Sequence, residues 1–164
     1  MSVNKIAVIG GGTMGSGIAL TAATSGLQAV IVDISEDQLL RAKTYHEKQL
    51  ARSVSKERMT QEETEKTIQR LSYATSTEEA SDSDWAVEAA TENIDVKKTI
   101  FKQMFETFRD DVVLATNTSS ISISDLASSV PGAENRVIGM HFFNPVPVMK
   151  LVEVIRGKQT SEET

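Results

Sequence analysis

Lys5-Ile6-Ala7-Val8-Ile9-Gly10-Gly11-Gly12-Thr13-Met14-Gly15 decides the fold. An apolar run feeds directly into a G-x-G-x-x-G hexapeptide, and a helical pattern starts inside it. A second apolar run follows and closes on an acid, Asp33, 18 positions after Gly15. Strand, glycine-rich turn, helix, strand and acid is the layout of a dinucleotide-binding unit. The chemistry explains the residue types. Gly10 allows the tight turn, Gly12 leaves room for a pyrophosphate against the backbone, and Gly15 lets the helix lie close on the strand. The helix amides at Thr13 and Met14 then meet the phosphates. Asp33 is placed to accept hydrogen bonds from ribose hydroxyls and to repel a 2′-phosphate. Nothing basic follows in Ile34-Ser35-Glu36-Asp37, so the reading favours NAD over NADP.

Outward from that unit the pattern repeats. Short apolar runs stand at Ile6–Ile9, Ala29–Val32, Trp85–Val87, Val112–Ala115 and Val137–Met140. They are continuous rather than alternating, as in strands covered on both faces. Helical segments are predicted at about 14–25, 36–54, 61–70 and 96–108. The fold class is therefore α/β: a Rossmann-like, doubly wound, mostly parallel sheet. Ser35-x-x-Gln38, Thr60-x-x-Glu63 and Ser76-x-x-Glu79 read as capping boxes. The stretch 36–70 is mostly polar, with a thin apolar line at Leu39, Leu50 and Val54, and is expected to be a protruding helical arm. Residues 1–158 form the predicted domain. Thr160-x-x-Glu163 reads as one more helix start, so 159–164 is expected to open a linker or helix of a longer parent chain.

The 164 residues suit one domain. A net charge of −6 argues against nucleic acid and anionic membrane as partners. No apolar run is long enough to span a bilayer and no leader pattern is visible, so the expected location is cytoplasmic. Zero cysteines exclude disulfides and thiol nucleophiles, and no metal site is expected. The two histidines, His46 and His141, are the only candidates for imidazole chemistry.

His141 stands at the C-terminal end of an apolar run, where open α/β sheets bind ligands. An imidazole there is a natural proton acceptor. Twelve residues on, Glu153 interrupts Leu151-Val152-Glu153-Val154-Ile155. A carboxylate in such a run needs a partner. Pro145 and Pro147 favour an extended return that would bring it to His141, where it would fix the imidazole tautomer. Asn117-Thr118-Ser119-Ser120 ends another strand, either to orient a substrate oxygen or simply to form a Ser/Thr turn.

Together the glycine-rich turn, Glu92-Asn93 with Lys97, Asn117-Thr118-Ser119-Ser120 and the block His141-Phe-Phe-Asn-Pro-Val-Pro-Val-Met149 resemble the N-terminal domain of the L-3-hydroxyacyl-CoA dehydrogenases, bacterial 3-hydroxybutyryl-CoA dehydrogenases above all. The resemblance runs along the whole chain. It implies NAD-dependent oxidation of the 3-hydroxyl of an acyl-CoA, or the reverse. It also implies roles: His141 as general base, Glu153 as its orienting carboxylate, and Ser119 on the substrate oxygen near the nicotinamide. Asn144 would lie by the same pocket, Glu92 and Lys97 beside the nicotinamide ribose, and Lys56 on the arm against the CoA moiety. Gln49 departs from the family pattern, which has a serine there. The family's all-helical C-terminal domain, which supplies the dimer contacts and part of the cleft, is not within these residues and is an expected partner. Two other readings remain. One is an NAD-dependent dehydrogenase of a small hydroxy acid, though these lack the His-Phe-Phe-Asn-Pro block. The other is a non-catalytic NAD-binding module.

Overall fold

The computed structural model describes residues 3–164. Seven strands form one sheet in the order β3-β2-β1-β4-β5-β6-β7. They are β1 (Lys5–Ile9), β2 (Gln28–Val32), β3 (Leu71–Ala74), β4 (Trp85–Glu88), β5 (Val113–Thr116), β6 (Val137–Phe142) and β7 (Val152–Arg156). All neighbouring pairs are parallel except β6 and β7. The doubly wound, mostly parallel sheet is as the sequence predicts. Its order reverses between β1 and β4, which opens a crevice at the strand C-termini.

The helices are α1 (Thr13–Thr24), α2 (Glu36–Ser55), α3 (Gln61–Gln69), α4 (Ile94–Thr107) and α5 (Ile123–Ala127). Strand side chains alternate between two cores. Ile6, Val8, Ala29 and Ile31 pack with α1 and α2, whereas Ala7, Ile9, Val30 and Val32 pack with α4 and α5. Four- and five-residue strands buried on both sides read as apolar runs, which is why most were visible. The strand β3 was not predicted, because Leu71-Ser72-Tyr73-Ala74 pairs only on one side and is half polar.

The arm forms as α2 and α3. Its inner half is anchored: Leu39, Ala42, His46 and Leu50 are buried along one face of α2. Ala42 and His46 complete the apolar line that Leu39 and Leu50 begin. Beyond Leu50, residues 51–60 include no buried side chain, so the outer end projects. Thr60 and Glu63 make the full reciprocal capping box at the start of α3. At α2 only half the expected box exists. Ser35 accepts from the Gln38 amide, but the Gln38 side chain turns to the carbonyl of Gly11. The box at Ser76 opens only a short 3₁₀ turn, Thr77–Ala80.

One expectation near the C-terminus is corrected. The return from β6 to β7 is not extended. It is a compact turn with a cis Asn144–Pro145 bond, in which the amides of Val148 and Met149 both donate to the Pro145 carbonyl. Val146 is thereby driven against Gly17 of α1, where an added Cβ would stand 2.9 Å from the Val146 side chain. Thr160 is anchored to the sheet. Its hydroxyl is buried, donates to the Val137 carbonyl and accepts from the Gly157 amide, tying the segment to β6. The Thr164 amide is instead taken by Ser161 Oγ.

Candidate active site

The glycine-rich turn builds the phosphate end of the crevice. Gly10 adopts φ +113°, and a Cβ there would lie 2.7 Å from the Ala90 backbone. The turn therefore rests directly on the end of β4. A Cβ on Gly15 would fall 1.8 Å from the Gly10 carbonyl, so α1 starts as close to the turn as backbone allows. Gly12, the α1 N-cap, makes no side-chain cap, and the first turn carries no acid. A Cβ on Gly12 would meet only the tip of Gln38, 3.9 Å away, so its outer side is open. Uncapped amides at Thr13 and Met14, with open space over Gly12, suit an anionic diphosphate.

Asp33 is already in use. One carboxylate oxygen accepts from the Gly11 amide at 2.8 Å and the other from the Ser35 amide at 2.9 Å. Each oxygen keeps acceptor capacity, so the same carboxylate can shape the turn and receive a ribose hydroxyl. Beside it lies a cleft of about 590 Å³ lined by Val32, Asp33, Ile34, Thr75, Val96 and Ile100 among others. Ile34 is 95% exposed at its edge, an apolar shelf suited to a flat base.

At the other end, the antiparallel register sets His141 opposite Glu153. His141 Nδ1 lies 2.8 Å from the Glu153 carboxylate, and the ring stacks at a tilt on Phe143, centroids 4.6 Å apart. Asn117, buried at the end of β5, accepts from the Phe142 amide at 2.8 Å and clamps this end of β6 to β5. Ser119 follows two residues later and is exposed.

Glu92 fixes that loop. Its carboxylate accepts from the Thr118 hydroxyl at 2.8 Å and from the Ser119 amide at 3.1 Å. Thr118 Oγ1 in turn accepts from the amides of Ser120 and Ile121. The Ser/Thr turn and the exposed Ser119 are thus both present. Asn144 is exposed in the turn beyond β6. Lys56 caps the outer end of α2, a twenty-residue helix about 30 Å long, and so stands well away from the glycine-rich turn.

Lys97 lies deeper than the other named residues. The residue that the resemblance sets beside the nicotinamide ribose is 1% exposed, and its amine is bound to Glu88 and lies 3.4 Å from Thr116. Glu88, itself fully buried, also accepts from Thr116 Oγ1 and from the Ala90 amide. Burial of two charges requires mutual pairing, and here the pair ties α4, β4 and β5 together beneath the crevice. A carboxylate closing an apolar strand, Trp85-Ala86-Val87-Glu88, was the available signal for Glu88 and was missed. Thr116 likewise gives no sign beyond its place at a strand end, next to the Asn117 that the sequence does single out. His46, the second histidine, is absent from the rim: it is buried between α2, α1 and β3.

The family described as 3-hydroxyacyl-CoA dehydrogenase, NAD binding domain matches residues 5–164. The chain belongs to that family. It is 44% identical to the probable 3-hydroxybutyryl-CoA dehydrogenase of Bacillus subtilis strain 168 over all of this chain and 57% of that protein. It superposes on the 3-hydroxybutyryl-CoA dehydrogenase of Escherichia coli K12 with a TM-score of 0.96 and 44% identity, covering 99% of this chain and 34% of that one. The (S)-3-hydroxybutyryl-CoA dehydrogenase of Ralstonia eutropha gives 0.95 and 44%, with 99% and 57% coverage. The NAD-binding domain thus spans a third to somewhat over half the length of these relatives, which carry further sequence. NAD is its cofactor. Among the described residues no helix is long and apolar enough to cross a membrane.

Proposed function

We propose that this NAD-binding domain serves the interconversion of a 3-hydroxyacyl-CoA and a 3-oxoacyl-CoA. The observation that carries the reading is the His141–Glu153 pair at the C-terminal end of β6. With Nδ1–H donated to the carboxylate, Nε2 holds the lone pair and is free to take a hydroxyl proton. Glu153 then faces the imidazolium that forms and stabilises it. Ser119, held by Glu92 through its amide, offers its hydroxyl to the substrate oxygen as charge develops there. Bound NAD supplies the hydride acceptor. The chain's own part is to hold it: the turn at Gly10, Gly12, Thr13, Met14 and Gly15 for the phosphates, Asp33 for the adenosine ribose, and Glu92, Ser119 and Asn144 toward the nicotinamide end.

Lys56 and the projecting arm are assigned to the CoA moiety as a point charge for phosphate. Lys97 is assigned no direct contact and supports the floor instead. The further sequence of the longer relatives is read as the partner region that completes the cleft and the homodimer, and the setting as the cytoplasm. The test is loss of NADH absorbance with acetoacetyl-CoA, with NADPH in parallel. Turnover with NADH and little with NADPH supports the reading. Turnover on free 3-hydroxy acids but not on acyl-CoA transfers the domain to the hydroxy-acid dehydrogenases. Cofactor binding without turnover, even when a relative's C-terminal region is supplied, leaves an NAD-binding module.

A further inference from the structure

His46 takes no part in the proposed chemistry, yet it is the most completely satisfied side chain of the arm. It is 1% exposed. Its Nε2 lies 2.8 Å from the carbonyl of Ser16 on α1, and its Nδ1 lies 2.7 Å from the Tyr73 hydroxyl on β3. A carbonyl only accepts, so Nε2 carries the proton and Nδ1 accepts from Tyr73. Burial pushes the Tyr73 hydroxyl up to about 12, which keeps it a donor at neutral pH.

Ser16 is no ordinary helix residue. Its amide donates to Gly12 and its hydroxyl to the Gly11 carbonyl at 3.0 Å. The same Gly11 carbonyl receives Gln38 from the start of α2, at 3.3 Å. The arm helix therefore grips the phosphate-binding turn twice: directly through Gln38, and through His46 by way of Ser16.

We propose that His46 is a positioning residue that locks the arm to the cofactor turn, and that its protonation releases the lock and weakens NAD binding. A charged imidazole has two donors and no acceptor, so the Tyr73 bond must be reversed and a charge left in an apolar site. The surroundings offer little to hold that charge. Lys43 and Glu47 flank His46 on α2, Tyr45 meets its ring edge-on at 5.7 Å, and β3 contributes Tyr73. Helix α1 carries no titratable side chain, and α3 presents Ile68. Burial holds the imidazole below its ordinary range, against smaller opposing effects of the Ser16 carbonyl and Glu47. The consequence is a mechanical link: displacement of the outer arm, where Lys56 stands, is transmitted along α2 to the turn that holds the diphosphate.

The test uses NADH titration by fluorescence from about pH 8 down to the lowest pH at which the chain stays folded, with wild type, His46→Gln, His46→Leu and Tyr73→Phe. Amide exchange protection of residues 11–17 is measured on the unliganded chain alongside. Glutamine can donate to Ser16 and accept from Tyr73 but cannot titrate. It is expected to bind NADH like wild type at the higher pH and to lose the extra weakening at the lower. His46→Leu is expected to bind at least about fivefold more weakly at both, the lower end of ordinary site-to-site coupling. Exchange protection of the turn should fall with it. Tyr73→Phe is expected to shift both readouts in the same direction by less, and it decides the matter should the leucine variant not fold. The proposal is overturned if His46→Gln keeps the wild-type acid response, or if Tyr73→Phe and His46→Leu leave both affinity and turn protection unchanged. Should NADH bind too weakly to titrate, the pH dependence of that exchange protection settles it: a loss on acidification in wild type that is absent from His46→Gln supports the lock, and equal pH profiles overturn it.

Discussion

The two histidines of the chain present one side chain in two settings. His141 has a fifth of its side chain in solvent, a carboxylate on Nδ1 and a free Nε2. His46 is sealed, with both nitrogens engaged by neutral groups. An imidazole can pass a proton to and from a substrate only if the charged form is stabilised and one nitrogen is accessible. Glu153 supplies the first condition for His141, and the open rim supplies the second. His46 has neither, and its role is to hold elements together. The sequence singles out His141 by its strand end and its spacing to Glu153, and says nothing of what His46 does. The neighbours arriving from β7, α1 and β3 separate the two roles.

The largest expected effect comes from removing the exposed one. His141→Ala should lower kcat in acetoacetyl-CoA reduction by roughly 10²–10⁴-fold, the usual worth of a positioned acid–base group. NADH affinity should remain close to wild type. Near-normal turnover would erase the distinction between the histidines.

Lys97 extends the comparison to a pair with almost no contact with water. Glu88→Gln leaves its ammonium buried without a counter-charge and should cost about 3–5 kcal/mol in denaturant unfolding. Replacing both, Glu88→Gln with Lys97→Met, should recover most of that loss, because neither charge is then stranded. A double variant as unstable as the single one would show that the pair's charge is not what matters.

Glu153→Gln should reduce turnover by a smaller factor, roughly 10–100-fold, as expected for the partner that orients a reacting histidine. The strand pairing is unaffected by that change, so thermal stability should move little. A variant as inactive as His141→Ala would make Glu153 more than an orienting group.

The smallest effect is a pH dependence. In the unfolded chain His46 titrates near its ordinary value of 6.5, while burial lowers it in the fold. As pH falls the unfolded chain takes up the proton first. The contribution to stability is therefore whole above about pH 6.5 and lost progressively as pH drops toward the lowered folded value. Denaturant midpoints measured across that window should fall for wild type and fall less for His46→Gln. Parallel curves would show that His46 does not bind its proton differently in the two states.

Much of this was legible in the chain itself, for physical reasons. Ile6–Ile9 and its glycine-rich continuation announce their role because backbone approach to a diphosphate leaves few residue choices. His141 and Glu153 were visible because a titratable group in an apolar run demands explanation. Glu88 obeys the same rule but passes unnoticed, and the burial of Lys97 is invisible without it, because a lysine is rarely buried unless paired. The compact turn at Pro145 was hidden by two prolines that equally suit an extended path. Ser76 shows the limit of capping patterns. A hydroxyl followed three places later by an acid permits a helix, but the residues beyond must want one.

The pairing of β6 with β7 has one further consequence, a matter of parity. Side chains alternate faces along a strand, so Glu153 meets His141 only while β7 keeps its present frame. Inserting two residues within β7 ahead of Glu153 would return a side chain to the same face, whereas inserting one would turn Glu153 to the opposite side with every backbone bond of the ladder still available. Parity thus decides the face and exact register decides the bond; a single-residue slip of β7 should silence the site in a chain that still folds.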